Sequence, residues 1–428
     1  PPSVEEGILY TGPVEILTTT VLRAVAFKEG YVPTDVDTHR YIFIDEVIVQ
    51  DNSPEGYPST WKSRPGLDDR PADYEMDPEV TEDPRYADLM RPALLSSPTI
   101  SLVTDVANLF DRDTGIYQNP QHTGSLWERP VSMEIIYPNG RESYQIDCGL
   151  RVQGGHTRDP ERMPKRSWRL AFRKEYGSSE MEHRLFAEPD ATEKFDTLVL
   201  RGGANQSWLH HNGFRGDNRA RAQYIRDQFA KNMQGRMGWT YLHNNYAYLY
   251  INGIFWGLYN PTERATNYFG ESYLGGEEDE YDAINSSELI DGEPDRWSML
   301  LSLVHKNLAI PANYDRVANL LDLEQFTDYM LLNHWGGNED WDHHNWYALG
   351  NRVDGKFGFY TWDSEFFFEA AGSNTVLKNT ENNPGGIFHA LLENAEYRLL
   401  VADRIHQHFY NGGMLTTDAA LEEWNELS

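Results

Sequence analysis

The chain is poor in three things. One cysteine, Cys148, in 428 residues leaves no partner for an internal disulfide, so a disulfide-stapled scaffold is excluded. No run of about 18 apolar residues occurs, so nothing reads as a membrane-spanning helix. Positive charge is scarce: 37 Lys and Arg stand against 67 Asp and Glu, for a net charge of -30 and a pI near 4.8. That balance disfavours nonspecific binding to nucleic acid or to an anionic membrane surface, and membrane insertion is not expected. Scarce cysteine fits a cytosolic chain and a thiol-avoiding secreted one alike. Together with the acidity and with 34 Gly and 22 Pro, it favours an exported bacterial protein, extracellular or at the cell surface. The opening "PPSVEEGILY" is neither a signal peptide nor a natural start, and a trimmed or internal piece is expected.

Aromatic residues are what the chain has in abundance, at 13% with 12 Trp and 25 Tyr, beside 39% hydrophobic residues overall. This is the composition of a folded protein with a ring-rich core, and the length suggests roughly two to three domains. Residues 1–50 read as a small all-β module, because "GPVEILTTT", "TVLRAVAFKEG" and "THRYIFIDEVIV" are β-branched and aromatic runs separated by Gly, Pro and Asp. Residues 51–97 carry prolines from Pro54 to Pro92 without sustained periodicity, which predicts a surface linker between two domains.

From Pro98 onward the pattern is mixed. Strands are expected at 99–104, 130–137, 146–153, 167–173 and 195–201, followed by a helix from Ala220 to Met237 with Tyr224, Ile225, Phe229 and Met233 on one face. "YAYLYI" and "IFWGLYN" are joined by Asn252-Gly253, a strong hairpin signal. Helices are expected at 297–307, 313–321, 323–335, 386–392 and 395–410, interrupted by a β pair around 345–363. A β-rich half, 98–262, thus precedes an α-rich half, 263–428, and the expected class is α+β with an atypical two-lobed protein-kinase-like fold.

Three features test that expectation. In "NEDWDHHNWYAL", Asp340 precedes Asn345 by five residues, the offset of a kinase catalytic loop. An aspartate there receives the proton of an acceptor hydroxyl, and an amide oxygen on the same loop holds a metal on the phosphates. In "FYTWDSEFFF", Asp363 ends a strand eighteen residues after Asn345, where a second metal-holding acid is needed, with Glu365 as a further candidate ligand. In "GLRVQGGHTRDPERMPKRSWRLAFR", Gly154-Gly155 forms a turn whose N–H groups suit phosphate, with Lys165 and Arg166 at the start of the next strand. A plain hairpin is the competing reading of that turn.

Two resemblances add to this. "YTGPVEILTTTVLRAVAFKEGYVPTDVDTHRYIF" resembles the β-sandwich module attached to chitobiases and β-hexosaminidases, which implies a spacer or accessory role. Over roughly residues 98–414 the chain resembles the CotH family of atypical, spore-coat-associated protein kinases, through "PKRSWRLAFR", "LVLRGGANQSW", "YIRDQFAKNMQGRMG", "YLYINGIFWGLYNPTERATNYF", "LDLEQFTDYMLLNHWGGNEDWDHHNWY", "FYTWDSEF" and "VADRIHQHFYNGGML". The resemblance implies ATP with Mg2+ or Mn2+ as cofactors and a protein substrate or a coat or matrix protein as partner. Asp340 in N-x-D matches the family's catalytic aspartate, Asp363 in W-D-x-[DE] its metal ligand, and Lys165 in P-K-[KR]-S its ATP-facing lysine. Glu263 in "PTER" matches the family's T-E-[KR], near the expected adenine, and Arg226 in "YIRDQ" matches an arginine that touches phosphate or supports the fold. "QGGHTR" departs from the family's "RGNSS", and Arg166 stands where many members have a second lysine. A noncatalytic pseudokinase acting as a surface, coat or matrix binding module is the alternative.

Other residues have plainer readings. His343 and His344 diverge if their segment is extended, and no H-E-x-x-H motif or Cys cluster accompanies them, so they are expected as spacers rather than zinc ligands. His210-His211 is expected as a loop pair. Asp105, Asp111 and Asp113 suggest a structural Ca2+ but lack the EF-hand spacing, so a capped turn is expected. Trp341, Trp346 and Trp362 suggest a carbohydrate contact beside the chitobiase-like module, with core anchoring as the default. "GNRVDGKF" is a hairpin turn at Asp354-Gly355, since Phe357 stands where a P-loop needs Ser or Thr.

Overall fold

Strand-forming runs between Thr99 and Thr262 close on themselves in the computed structural model, which describes residues 2, 3, 5, 7–207 and 222–428. The expected helix start at Ala220 and the His210-His211 pair lie outside the described residues. The barrel strands are β1 (Thr99–Val103), β2 (Arg129–Ile136), β3 (Tyr144–Gln153), β4 (Ser167–Ala171), β5 (Thr197–Arg201), β6 (Ala247–Ile251) and β7 (Ile254–Thr262), in the closed order β5-β7-β6-β1-β2-β3-β4. Closure removes the unpaired edges an open sheet would present. The pairs β5–β4, β7–β6, β1–β2, β2–β3 and β3–β4 are antiparallel, whereas β6 runs parallel to β1 with Tyr248 opposite Thr99. The β6–β7 turn places Asn252 and Gly253 at φ 51° and 86°, the left-handed pair that a two-residue hairpin of matching twist requires. Leu102, Met133, Ile135, Leu150, Trp168, Leu170, Val199 and Leu200 fill the buried positions. Cys148 is buried there too, and burial pushes its thiol far up.

The chain divides into two compact units, the first comprising Pro1–His183, Asp196–Arg221 and Asn245–Pro261. The expected linker, 51–97, belongs to this unit and is not a spacer between domains. It buries Trp61, Tyr74, Met76 and Leu94, and the Trp61 ring meets Tyr74, Tyr117 and Trp256. Hydrophobic burial holds it down where periodicity gave no sign.

The first fifty residues form only one strand pair, Thr20–Ala24 with Asp37–Tyr41. "GPVEILTTT" makes no strand before Thr20, and Ile44–Ile48 is a short helix. Ile44, Val47 and Ile48 have helical spacing, and the face they form packs with Met76, Leu94 and Tyr250. Arg40 pins the strand pair to the barrel through a buried ion pair with Glu134 at 3.2 Å.

The second unit comprises Arg184–Phe195, Ala222–Asn244 and Thr262–Ser428. Its helices are α1 (Arg226–Arg236), α2 (Asn267–Leu274), α3 (Asp295–Val304), α4 (Pro311–Ala318), α5 (Leu323–Trp335), α6 (Pro384–Leu391), α7 (Ala395–Phe409) and α8 (Thr417–Leu427). Caps set several starts: Asp322 accepts from Gln325 N before α5, and Asn394 from Glu396 N and Tyr397 N before α7. The sheet of this unit has strands β8 (Tyr281–Asn285), β9 (Glu288–Asp291), β10 (Trp346–Asn351) and β11 (Gly358–Thr361), in the order β9-β8-β10-β11. Trp297, Phe326, Tyr329, Trp346, Phe357 and Phe359 share its core with aliphatics of the helices. The chain is therefore of mixed α and β class with a small N-terminal β region. No helix among the described residues is long and apolar enough to cross a membrane.

Candidate functional site

Helix α5 stops at Gly336-Gly337, and a Cβ on Gly336 would run into the Phe367 ring, so only glycine fits. The segment that follows is anchored by rings. Trp341 is fully buried and donates its indole N–H to Tyr329 Oη at 2.6 Å, and Trp346 donates to Asp342 O at 2.9 Å. Trp362 is nearly buried, with Lys231 Nζ 4.8 Å from its ring centre. These three rings are core anchors. Asp342 is buried and accepts from Thr380 Oγ1 at 2.7 Å and Thr380 N at 3.1 Å.

Between those anchors the polar residues are gathered into a bend at 342–345, with Asn345 at φ 64°. Asn345 Nδ2 donates to Asp340 O at 2.8 Å and to Asp340 Oδ2 at 3.3 Å. The amide nitrogen thus faces Asp340. Left-handed φ in a non-glycine residue is uncommon and concentrates at functional sites. Asp363 has the same property, at φ 54°.

The β10–β11 register brings these two positions to one end. Trp346 lies opposite Thr361, so Asn345 precedes one strand where Trp362 and Asp363 follow the other. Strand β11 is the sheet's edge, and side chains replace the missing neighbour. Gln325 on α5 accepts from Phe359 N at 2.8 Å and donates to Phe359 O at 2.5 Å. Gln234 on α1 donates to Phe359 O at 2.7 Å and accepts from Thr361 N at 2.9 Å. Asp227 on α1 continues the series by accepting Ser364 N at 2.7 Å, and is itself paired with buried Lys231 at 2.7 Å. Buried backbone groups need partners, and these polar residues supply them along the strand that delivers Asp363. Motif reading missed all four. The i,i+4 spacing of Asp227 and Lys231 was the available signal.

His344 sits within this group, with Nε2 3.2 Å from Asp340 Oδ1. Its pKa is raised by the hydrogen bond to Asp340, and by the charges of Asp340 and Asp363, against the opposing effect of burial. His343 is held below the ordinary value by partial burial and by its neighbour His344. The expectation that the histidines diverge as spacers fails because the segment is bent and not extended. Asp340, His343 and His344 bring one ligand atom each to within 4.8 Å of one another. Among the described residues this is the one such group of three, and it does not include Asp105, Asp111 or Asp113. Asp111 instead closes a turn through Asp113 N, Thr114 N and Thr114 Oγ1.

Hard divalent ions of the Mg2+ or Mn2+ kind prefer oxygen ligands, and the Asp363 carboxylate and the Asn345 amide oxygen are groups of that type. Glu365 is buried two residues beyond. Other expected residues have their own settings. Arg226 forms an ion pair with Glu369, both largely buried. Glu263 accepts from His243 N at 2.7 Å, His243 Nδ1 at 2.9 Å and Tyr273 Oη at 2.5 Å, which makes it an internal clasp.

In the first unit, Lys165 is buried with Nζ 5.8 Å from the Trp256 ring centre. Burial lowers its pKa, opposed by Asp73 and Glu75. Gly154 and Gly155 begin a long connection, since β3 ends at Gln153 opposite Ser167, so Lys165 and Arg166 precede β4 and no tight hairpin forms. Arg158 donates to Gly154 O within that connection.

The family model described as "CotH kinase protein" matches residues 150–412, more than half of the chain. No curated protein matches the chain.

Proposed function

The chain belongs to the CotH kinase family, and on that premise we propose that it is a two-lobed, kinase-like enzyme that transfers the γ-phosphoryl group of ATP to a protein hydroxyl. The observation that carries this reading is the arrangement at the end of β10 and β11: Asn345 bonded to Asp340, with Asp363 at the same end of the strand pair.

Asp340 is the proton acceptor. The acceptor oxygen bonds to the γ-phosphorus, the bond to the β–γ bridging oxygen breaks, ADP departs with that electron pair, and the hydroxyl proton goes to the Asp340 carboxylate. Asn345 and His344 hold that carboxylate in orientation through Oδ2 and Oδ1 respectively. Asn345 and Asp363, with Glu365 as a further ligand, would hold Mg2+ or Mn2+, which would neutralise charge on the phosphate oxygens. Gln234, Gln325 and Asp227 position Asp363 by fixing the strand before it. Lys165, with the Gly154-Gly155 turn, keeps the phosphate-steadying role that family membership suggests. Arg226 and Glu263 support the fold around the site instead of touching nucleotide. Acidity and scarce cysteine support an exported bacterial setting, with a coat or matrix protein as the acceptor.

The test is incubation with γ-labelled ATP and Mn2+, beside Asp363→Ala. Label on the protein or an added acceptor, lost in the variant, is expected. Absence of both label transfer and nucleotide binding in the wild type sinks the reading. One observation favours a second reading, a noncatalytic binding module: Lys165 is buried against Trp256 with the carboxylates of Asp73 and Glu75 acting on it, a poor setting for phosphate. Nucleotide binding without transfer would select that reading.

A further inference from the structure

The catalytic loop carries more nitrogen than an oxygen-ligand metal site uses. His344 Nε2 and Asp340 Oδ1 are 3.2 Å apart. Tetrahedral zinc with bonds of about 2.0–2.1 Å has ligand atoms about 3.3 Å apart, so this pair already spans one edge of such a site. His343 supplies the third ligand atom within 4.8 Å of the other two, and its ring centre is 3.8 Å from that of His344. His343 is exposed, while Asp340 and His344 are half-buried, so an ion has a route in. Of the charged groups acting on the pair, Asp340, Asp342 and Asp363 are acidic and Lys378 is the one base, a balance that favours a cation.

We propose that Asp340, His343 and His344 form a second metal site that takes a borderline divalent ion, Zn2+ above all, and that its occupation switches off phosphoryl transfer by withdrawing Asp340 from its role as proton acceptor. The second half rests on the function proposed above; the first does not. Two imidazoles and one carboxylate select zinc over magnesium or manganese, which bind imidazole weakly, and three protein ligands leave the fourth position to water. The ion enters the loop at a carboxylate the reaction needs. An acceptor protein or a chelator that removed it would restore that carboxylate.

The experiment uses the whole chain and Co2+ as a spectroscopic stand-in for Zn2+. Wild-type protein is expected to develop the intense visible absorption of four-coordinate Co2+, abolished by Zn2+ but not by excess Mg2+. His343→Ala and His344→Ala should each weaken binding about 10-fold or more. Undiminished Co2+ binding in both variants, or no such absorption in the wild type, overturns the site. Should a variant misfold, a second measurement on wild type decides: Zn2+ should protect His343 and His344 from ethoxyformylation, read by peptide mass spectrometry, and equal modification with and without Zn2+ overturns the site. For the switch, Zn2+ should suppress Mn2+-dependent label transfer in the wild type, with about 10-fold or more Zn2+ needed in His343→Ala. Transfer indifferent to a bound Zn2+ overturns the switch. If no condition gives label transfer, the proposed kinase activity fails while the absorption still decides the metal site.

Discussion

Oδ1 of Asp227 accepts the backbone N–H of Ser364 at 2.7 Å, one residue beyond Asp363. The other carboxylate oxygen lies 2.7 Å from Nζ of Lys231, which is wholly buried and also donates to Thr262 Oγ1 at 3.0 Å. Helix α1 thus holds the residue after the proposed metal ligand by means of a charge that is itself compensated. Removing one partner leaves the other charge buried, so Asp227→Ala should cost roughly 3–5 kcal/mol in urea unfolding. Asp227→Ala combined with Lys231→Met should recover part of that loss. A single variant as stable as the wild type would show that the pair does not hold the strand.

Gln234 and Gln325 stand in for the strand that β11 lacks. Gln234→Met leaves Thr361 N without its acceptor and should cost about 1–3 kcal/mol. Hydrogen exchange should quicken at Thr361 and leave the β8–β10 ladder protected. Unchanged exchange at Thr361 would contradict the assignment.

Asp328 contributes to the acid limit. Burial pushes its carboxyl up, but hydrogen bonds from His408, Arg404 and Trp239 outweigh this and hold it below its ordinary 3.8. A depressed carboxylate contributes stability that is fully present above the ordinary value and is lost as pH falls through the lower, folded one. Thermal scans should show a loss of stability below about pH 4 that Asp328→Asn diminishes. An acid limb of equal depth in the variant would assign it to other carboxylates.

His243 has the opposite sign. Burial lowers its pKa, yet the hydrogen bond and charge of Glu263, with Asp190 and Glu188, raise it above the ordinary 6.5. Its contribution is full below 6.5 and is lost as pH rises through the folded value. Melting temperature should therefore fall as pH rises above the ordinary 6.5, and Glu263→Gln should remove that slope. A slope that persists in Glu263→Gln points elsewhere.

Cys148 is buried in the barrel with its thiol pushed far up by desolvation. Native protein should resist iodoacetamide and react on unfolding, so alkylation reports the opening of the barrel. Rapid labelling of the native protein would contradict this burial.

Local signals were the legible part of the fold. Asn252-Gly253 announced its hairpin because both residues tolerate left-handed φ. The expected helix at 323–335 matches α5 residue for residue, because an Asp322 cap and a Gly336-Gly337 stop bound an apolar run. Long-range features were not legible. The residues around Trp61 and Tyr74 lie among prolines with no period to read, yet their rings complete a core built from partners distant in sequence. Gln234 and Gln325 look like ordinary polar helix residues until the bare edge of β11 is seen beside them. At the site, the spacing of Asp340 and Asn345 was readable, whereas the His344–Asp340 contact depends on a bend that an extended reading of the loop hides.

The second unit is assembled from three separate stretches of chain, 184–195, 222–244 and 262–428. No single cut releases it. A fragment starting at Thr262 would contain β11 and both loops of the proposed site but would lack α1, and with it Gln234 and Asp227. Such a fragment would leave Thr361 N and Ser364 N without their acceptors and would bare the apolar face of α5, an invitation to self-association. The last stretch cannot be completed until the earlier ones have been set aside for it, so contacts remote in sequence must close before either unit is whole, a topology that slows folding.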